Sequence, residues 1–493
     1  MPDSIKAQTM RGVMWTGVER IANQSAGFVI SIVLARLLLP ADYGVIGIMN
    51  VFLGIAELFI DCGLSSALIQ KKDRTEADYS TVFWCNIAMS TLCYALVFAA
   101  SHWIAGYYRI PDLKGMLRVM GLILIINALY TIQGTRLTAL LDFKTQAKVS
   151  FSSCVFSGAF GIWMACRGLG PWSLVGQNVF ASVYRAIAYW IITRWHPSFI
   201  FSRASFNTLF AFGSRLLAAS ILHTIYVRIA PIIIGRKYST EVLGIYSRAD
   251  SLVTLPGSVF QSTLGRVIYP VLVTIKDDET RLRAAYNKYL RIITSLVAPS
   301  MLLFAAVSRP LILTLIGEKW IACVPFIMLL ALSWMLDPII LVNLNILYVK
   351  GRSDIVLKLE IIKKIIAITI VVVSVQFGVI WLCVGRVIYT YIALGINLHA
   401  CGPFIGMSFL AQMKEVWNIY LGSFVAACCA YAVGTMVPHV LTLSNWWTHL
   451  FTLVSACVCG GAVYLIWAKA FRFEILSEAM ALYRKIIPST AGR

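Results

Sequence analysis

Nine Lys and Arg residues fall inside apolar stretches long enough to cross a bilayer: Arg20, Arg185, Arg215, Arg228, Arg248, Arg266, Lys363, Lys364 and Arg386. A cation at the bilayer centre is penalised by roughly 2.5–3.5 kcal/mol even on the mildest insertion scale. So many of them require water, counter-charges or an anionic ligand inside the protein. The pattern predicts a cationic, water-filled path.

The chain around these charges is far too apolar for a soluble globule, with 59% hydrophobic and 13% charged residues among 493 and a mean hydropathy of +0.80. A spanning helix needs about 20 apolar residues. Such runs occur near 12–37, 43–69, 79–101, 115–140, 147–166, 171–193, 206–235, 239–273, 287–315, 321–349, 355–376, 378–400, 414–437 and 446–469. The expected fold is therefore an all-α polytopic membrane protein of about 14 transmembrane helices. The apolar run after Lys6 and Arg11 carries Glu19 and Arg20 and is longer than the core of a signal peptide, so it reads as a retained first helix.

None of the intervening polar segments exceeds about a dozen residues. That leaves no room for a soluble nucleotide-binding domain, and no phosphate-loop motif occurs. A membrane glycosyltransferase, polymerase or ligase would need catalytic groups on a sizeable external loop, so the expectation is a transporter and not an enzyme. No resident cofactor is expected, and energy would come from an H+ or Na+ gradient, the membrane potential or the substrate's own gradient.

With the amino terminus placed in the cytoplasm, 24 loop Lys and Arg lie inside and nine outside. This bias predicts both termini in the cytoplasm. It also makes much of the net charge of +20 a topology signal and an attraction to acidic lipid headgroups, not a sign of nucleic acid. The 12 cysteines lie mostly in the spans and form no C-x-x-C pair, so neither a disulfide framework nor a metal site is expected.

A weak internal repeat is present. Gly12 precedes Tyr43-Gly44, as Gly213 precedes Leu243-Gly244, and each unit then runs through a long helix into a charged loop, Lys71-Lys72-Asp73-Arg74 or Lys276-Asp277-Asp278-Glu279. Repeated units of six helices predict two lobes, residues 1–203 and 204–405, followed by two further helices and a tail over 406–493. The charged segment 274–291 is expected to form an amphipathic connector.

Three segments carry a family resemblance: Leu34-Ala35-Arg36-Leu37-Leu38-Leu39-Pro40-Ala41-Asp42-Tyr43-Gly44, Asp61-Cys62-Gly63-Leu64-Ser65-Ser66-Ala67-Leu68-Ile69-Gln70, and Gly317-Glu318-Lys319-Trp320. In this order, over essentially the whole chain, they resemble the Wzx-type polysaccharide exporters, nearest to the colanic-acid type, in the multidrug/oligosaccharidyl-lipid/polysaccharide (MOP) superfamily. The resemblance implies a V-shaped fold like that of the MATE transporters. It also implies a flippase that moves undecaprenyl-diphosphate-linked glycan repeat units from the cytoplasmic to the periplasmic leaflet of a bacterial inner membrane, for exopolysaccharide, capsule or O-antigen synthesis. Polysaccharide polymerase machinery is an implied partner. A MATE-like ion-coupled drug or cation antiporter is the alternative; it would favour lumenal acids, and here nine cations outnumber the six acids in the spans.

Fixed cations suit a diphosphate, and Arg suits it best because its planar fork donates at two points and stays charged. Arg248 and Arg266 are eighteen residues apart, five helical turns, and share one face of an unbroken helix, although Pro256-Gly257 lies between them. Arg215 and Arg228 are thirteen apart and out of phase, so one of them has another task. Asn178 and Arg185 share a face. The expected substrate-binding set is Arg248 and Arg20, with Arg215 and Arg266 next. Arg20 follows Glu19, which leaves local pairing open, and Lys363 and Lys364 are expected to snorkel to the cytoplasmic surface. Glu57 and Asp61, four apart, are an ion-coupling candidate, with a helix-end role near Lys71 the competing reading for Asp61. Asp250 is expected to pair with Arg248 or Arg266, and Asp337 to cap or break its helix. Most of the Trp residues, among them Trp103, Trp195, Trp320 and Trp447, are expected in an interfacial belt.

Overall fold

The computed structural model describes residues 22–71, 73–440 and 445–474. Among these residues every regular element is helical, and none is a strand. Helix α1 (Ala22–Leu37) is followed by α2 (Pro40–Asp61), α3 (Leu64–Gln70), α4 (Glu76–Tyr108), α5 (Leu113–Ala139), α6 (Phe143–Cys166), α7 (Trp172–Thr193) and α8 (Arg203–Lys237). Then come α9 (Thr240–Thr274), α10 (Glu279–Ala306), α11 (Ser308–Leu315), α12 (Cys323–Trp334), α13 (Asp337–Val349), α14 (Ser353–Ser374), α15 (Val379–Ile405), α16 (Phe409–Val440) and α17 (Asn445–Ala470). Nine spans among the described residues are long and apolar enough to cross a membrane, α12 and α13 counting as one. The chain is a multi-pass membrane protein. Helices α7, α8, α9 and α14, of 22 to 35 residues and with charges within them, stand at four of the five remaining expected positions, and α1 at the fifth.

The resemblance segments are helix punctuation. Pro40 occupies the first turn of α2, where its missing N–H is no loss, and it holds Leu39 extended at ψ 156°. The Asp42 carboxylate accepts the Leu39 N–H at 2.8 Å and closes the start of the helix. At the other end Cys62 (φ 44°) and Gly63 (φ 71°) are both left-handed. The chain turns there, and Asp61 Oδ1 accepts the Ser65 N–H of α3 at 3.2 Å. Asp61 thus has the helix-end role that was one of its two readings. Lys71 is not its partner, because Lys71 Nζ lies 2.7 Å from the fully buried Asp78. Asp78 also forms a capping box with Thr75 at the start of α4. Asp337 likewise begins a new helix, with Pro338 in its first turn, so the expected span 321–349 is two helices.

Packing groups the chain into two units, Met1–Gly244 and Ile245–Arg493. The boundaries expected from hydropathy, after residues 203 and 405, follow the internal repeat instead. In the first unit α8 packs along α2, α3 and α4. The backbones approach closely at glycine: a Cβ on Gly63 would stand 2.9 Å from Gly213 Cα, and one on Gly44 would stand 3.0 Å from Thr240 Cα. A core of Leu68, Phe83, Ile132 and Trp195 joins α3, α4, α5 and the segment after α7. In the second unit α16 and α17 pack on each other, and α16 packs along α10. There the buried Tyr286 hydroxyl bonds to Asn343 at 2.9 Å and to Gln412 at 2.8 Å.

Two tryptophans expected at the interface are instead core residues. Trp320 is fully buried, and the Trp195 indole N–H donates to Glu76 at 2.6 Å. Trp103 and Trp447 are well exposed, as an interfacial belt requires.

Candidate substrate-binding cavity

Helix α2 carries Asn50, Gly54, Glu57 and Asp61 at spacings of four, three and four, which places them on one helical face. Helix α8 carries Ser220, Thr224 and Arg228 at spacings of four. These two polar stripes face each other across a cavity of about 530 Å³ lined by Glu57, Asp61, Ser66, Ser220, Thr224 and Arg228, among others. A second cavity, of about 290 Å³, is lined by Asn50 of α2, Asn127 of α5, and Asn178, Ser182 and Arg185 of α7. Gly54, Glu57 and Arg228 line both, so the two compartments meet at this trio. Both lie within the first unit.

Gly54 is the seat for Arg228. A Cβ at that position would stand 2.9 Å from the guanidinium carbon and closer still to Nη2. A side chain at position 54 would push the guanidinium out of its present place against α2. The charge of Arg228 acts on Glu57, yet among the described residues neither forms a hydrogen bond or an ion pair within 4 Å. Arg185 is aimed by its neighbours: its Nε donates to Ser153 Oγ at 3.2 Å, and that hydroxyl donates to the Ala181 carbonyl at 3.1 Å. The outer guanidinium nitrogens remain for the cavity. The lining therefore offers two guanidinium groups, two carboxylates and a set of neutral amides and hydroxyls, an arrangement suited to an anionic, hydroxyl-rich ligand.

In the second unit, by contrast, several charged residues within the helices bind one another. Arg386 Nη1 lies 2.7 Å from Asp250 Oδ1. Asp250, expected to pair with Arg248 or Arg266, is thus bound across helices by Arg386. Lys363 is not a snorkelling residue: it is 3% exposed, bound to Glu360, and 3.5 Å from Asn397. Arg291 of α10 binds Glu415 of α16 and, at 3.1 Å, Glu474 beyond α17.

The expected site residues divide accordingly. Glu57 and Asp61 line the larger cavity. Arg248, expected to lead the phosphate-binding set, is 5% exposed and lines neither cavity; it is packed inside the second unit near Cys323. Helical phase gives the direction in which Arg248 points but not the elements that cover that direction, and here they cover it almost completely. Arg20 lies outside the described residues, as do the side chains of Arg215 and Arg266. Arg228 and Arg185 line the cavities, although neither was in the expected set. The spacing of α8 contained the signal for Arg228, and that of α2 the signal for Asn50 and Gly54. Asn127 was missed although Thr131, Thr135 and Thr138 follow it at helical spacing on α5.

Comparison with known proteins agrees with this architecture. The chain is 28% identical over 356 residues to the teichuronic acid biosynthesis protein TuaB of Bacillus subtilis (strain 168), covering 71% of this chain and 73% of that one. It is 23% identical over 455 residues to the lipopolysaccharide biosynthesis protein WzxC of Escherichia coli (strain K12), covering 89% and 90%. Its backbone matches a lipid II flippase, MurJ, with a TM-score of 0.75 over 94% of this chain and all of that one; at 13% identity this likeness is one of fold. Residues 33–325, more than half of the chain, match the family described as "Polysaccharide biosynthesis protein". The chain belongs to that family of membrane transport proteins.

Proposed function

We propose that this protein is a flippase for undecaprenyl-diphosphate-linked glycan repeat units, carrying them from the cytoplasmic to the periplasmic leaflet of a bacterial inner membrane during surface polysaccharide synthesis. The observation that carries the reading is Arg228, seated on Gly54 and facing both cavities without an ion-pair partner among the described residues. A diphosphate is a strong acceptor for such a guanidinium, and the flanking amides and hydroxyls suit sugar hydroxyls. The relatives named for polysaccharide biosynthesis favour this cargo over the drug or cation of a MATE-like antiporter.

In this reading the cavity loads from the cytoplasm and opens outward by alternating access. The polyprenyl chain stays in lipid, and both termini face the cytoplasm. Arg20, Arg215 and Arg266 remain candidates for further phosphate contacts, while the buried Arg248 supports the fold around it. Glu57, beside Arg228, and Asp61 form the proposed H+ or Na+ coupling pair. Interaction with polymerase machinery belongs to the same proposal.

The test is reconstitution of the full chain into liposomes, with movement of a fluorescent polyprenyl-diphosphate oligosaccharide between leaflets as the readout. Wild type should move it, and Arg228→Gln should move it about 10- to 100-fold more slowly at equal protein insertion. Transport of an organic cation with no movement of the lipid diphosphate would establish the antiporter reading instead.

A further inference from the structure

The smaller compartment differs from the larger one in chemistry. Beside Glu57, Ser182, Arg185 and Arg228, its lining holds three amides from three different helices: Asn50 of α2, Asn127 of α5 and Asn178 of α7. Two of them are held by the fold in complementary senses. The Tyr130 hydroxyl donates to Asn127 Oδ1 at 3.1 Å, so the Asn127 amide nitrogen is left as a donor. Asn178 Nδ2 donates to the Leu174 carbonyl at 2.8 Å, so the Asn178 oxygen is left as an acceptor. Asn50 is exposed to the compartment, and its side chain makes no hydrogen bond among the described residues.

An acceptor such as Asn178 Oδ1 is of no use to a phosphate, whose oxygens only accept at neutral pH. It suits a hydroxyl, which both donates and accepts. The volume also limits the occupant: about 290 Å³ lies at the low end of small-ligand pockets, about 300–1,000 Å³. That is room for about one sugar ring in this compartment, with the larger one adjoining it. Because Arg228 and Glu57 line both compartments, a ligand whose phosphate rests on Arg228 has its neighbouring group at the mouth of the amide compartment.

The geometry points to a subsite for a single glycosyl ring, the sugar bonded directly to the diphosphate, read by Asn50, Asn127 and Asn178. This inference rests on the lipid-diphosphate reading of Arg228 given above. It makes these amides specificity residues: they select a cargo that bears a first sugar over the bare lipid carrier, which must not be moved in place of loaded carrier.

The experiment measures binding of two probes to the full-length protein in nanodiscs, a short-chain polyprenyl diphosphate and the same lipid bearing one hexose. Wild type should bind the glycosylated probe more tightly. Asn50→Ala and Asn178→Ala should each weaken binding of the glycosylated probe by about 2- to 10-fold, the range for loss of one hydrogen bond, and leave the bare diphosphate unchanged. Asn50→Ala removes no bond that the described fold makes, so it keeps the test valid if Asn178→Ala folds poorly. Arg228→Gln should weaken both probes. Equal weakening of both probes by the Asn variants, no weakening at all, or equal binding of the two probes by wild type would each overturn the sugar subsite. Unchanged binding of both probes by Arg228→Gln, with the Asn variants still discriminating, would support the subsite and overturn the phosphate role of Arg228.

Discussion

In the first unit Arg228 and Glu57 face open cavities without ion-pair partners among the described residues. In the second, Arg386 lies 2.7 Å from Asp250 and the nearly buried Lys363 is bound to Glu360. Both units thus place charge within hydrophobic helices, and they meet the desolvation penalty by different means. An intramolecular pair neutralises charge permanently and fixes helices against each other. A charge facing a cavity stays hydrated and remains available to a ligand. The difference teaches that a charge in a spanning helix marks a site only when the fold leaves it unpaired.

The comparison can be broken most directly at Arg228. Arg228→Gln should lower transport of the lipid-linked glycan by about 10- to 100-fold, the worth of a charge-assisted contact. Thermal unfolding of the purified protein should change little, because removing the native guanidinium breaks no hydrogen bond or close ion pair among the described residues, and it acts on Glu57 only at longer range. A large fall in melting temperature would make Arg228 a structural charge like those of the second unit.

Arg386→Leu should show the reverse pattern. It leaves Asp250 without its partner and should destabilise the protein by about 1–3 kcal/mol, a value below that of a fully buried pair because the two side chains are 28% and 38% exposed. Arg386→Leu combined with Asp250→Leu should recover part of the loss. Failure to recover would mean that Asp250 is not the partner that matters.

Gly54→Val should cut transport by about 5- to 10-fold by displacing the Arg228 head from its seat. Helix stability should rise slightly at Gly54→Ala, since glycine within a helix is destabilising by roughly 0.5–1 kcal/mol relative to alanine. Reduced transport in a protein that is no less stable would separate the seat from a packing role. Unchanged transport in both variants would remove the seat from the site.

The smallest effect is expected at Arg291→Gln. Its pairs with Glu415 and Glu474 are about as exposed as the Arg386–Asp250 pair, but glutamine keeps an N–H donor for a carboxylate, so a loss of about 0–1 kcal/mol is expected. A shift in melting temperature as large as that of Arg386→Leu would show that the charge of Arg291, and not a hydrogen bond, holds its partners.

Much of the fold was legible along the chain. Apolar run length marked the helices, and Pro40, Gly63 and the Thr75–Asp78 capping box marked where they stop and start, because these are local effects of backbone geometry and hydrogen bonding. Half of the site was legible too. The stripes Asn50-Gly54-Glu57-Asp61 and Ser220-Thr224-Arg228 recur at helical spacing, and Asn178 and Arg185 were already seen to share a face.

The rest was not local. Arg248 and Arg228 look alike in the sequence, each a lone cation in an apolar helix, yet one is 5% exposed inside the second unit and the other faces open cavities. Lys363 resembles a snorkelling residue until Glu360 and Asn397 are seen around it. By itself the sequence determined that this chain crosses a membrane many times and must accommodate cations there, since hydropathy and charge act through composition and helical period. Only the tertiary structure decided which cations are neutralised and which are offered to a ligand. That choice depends on what other helices bring within a few ångströms, and no periodicity along one helix contains it.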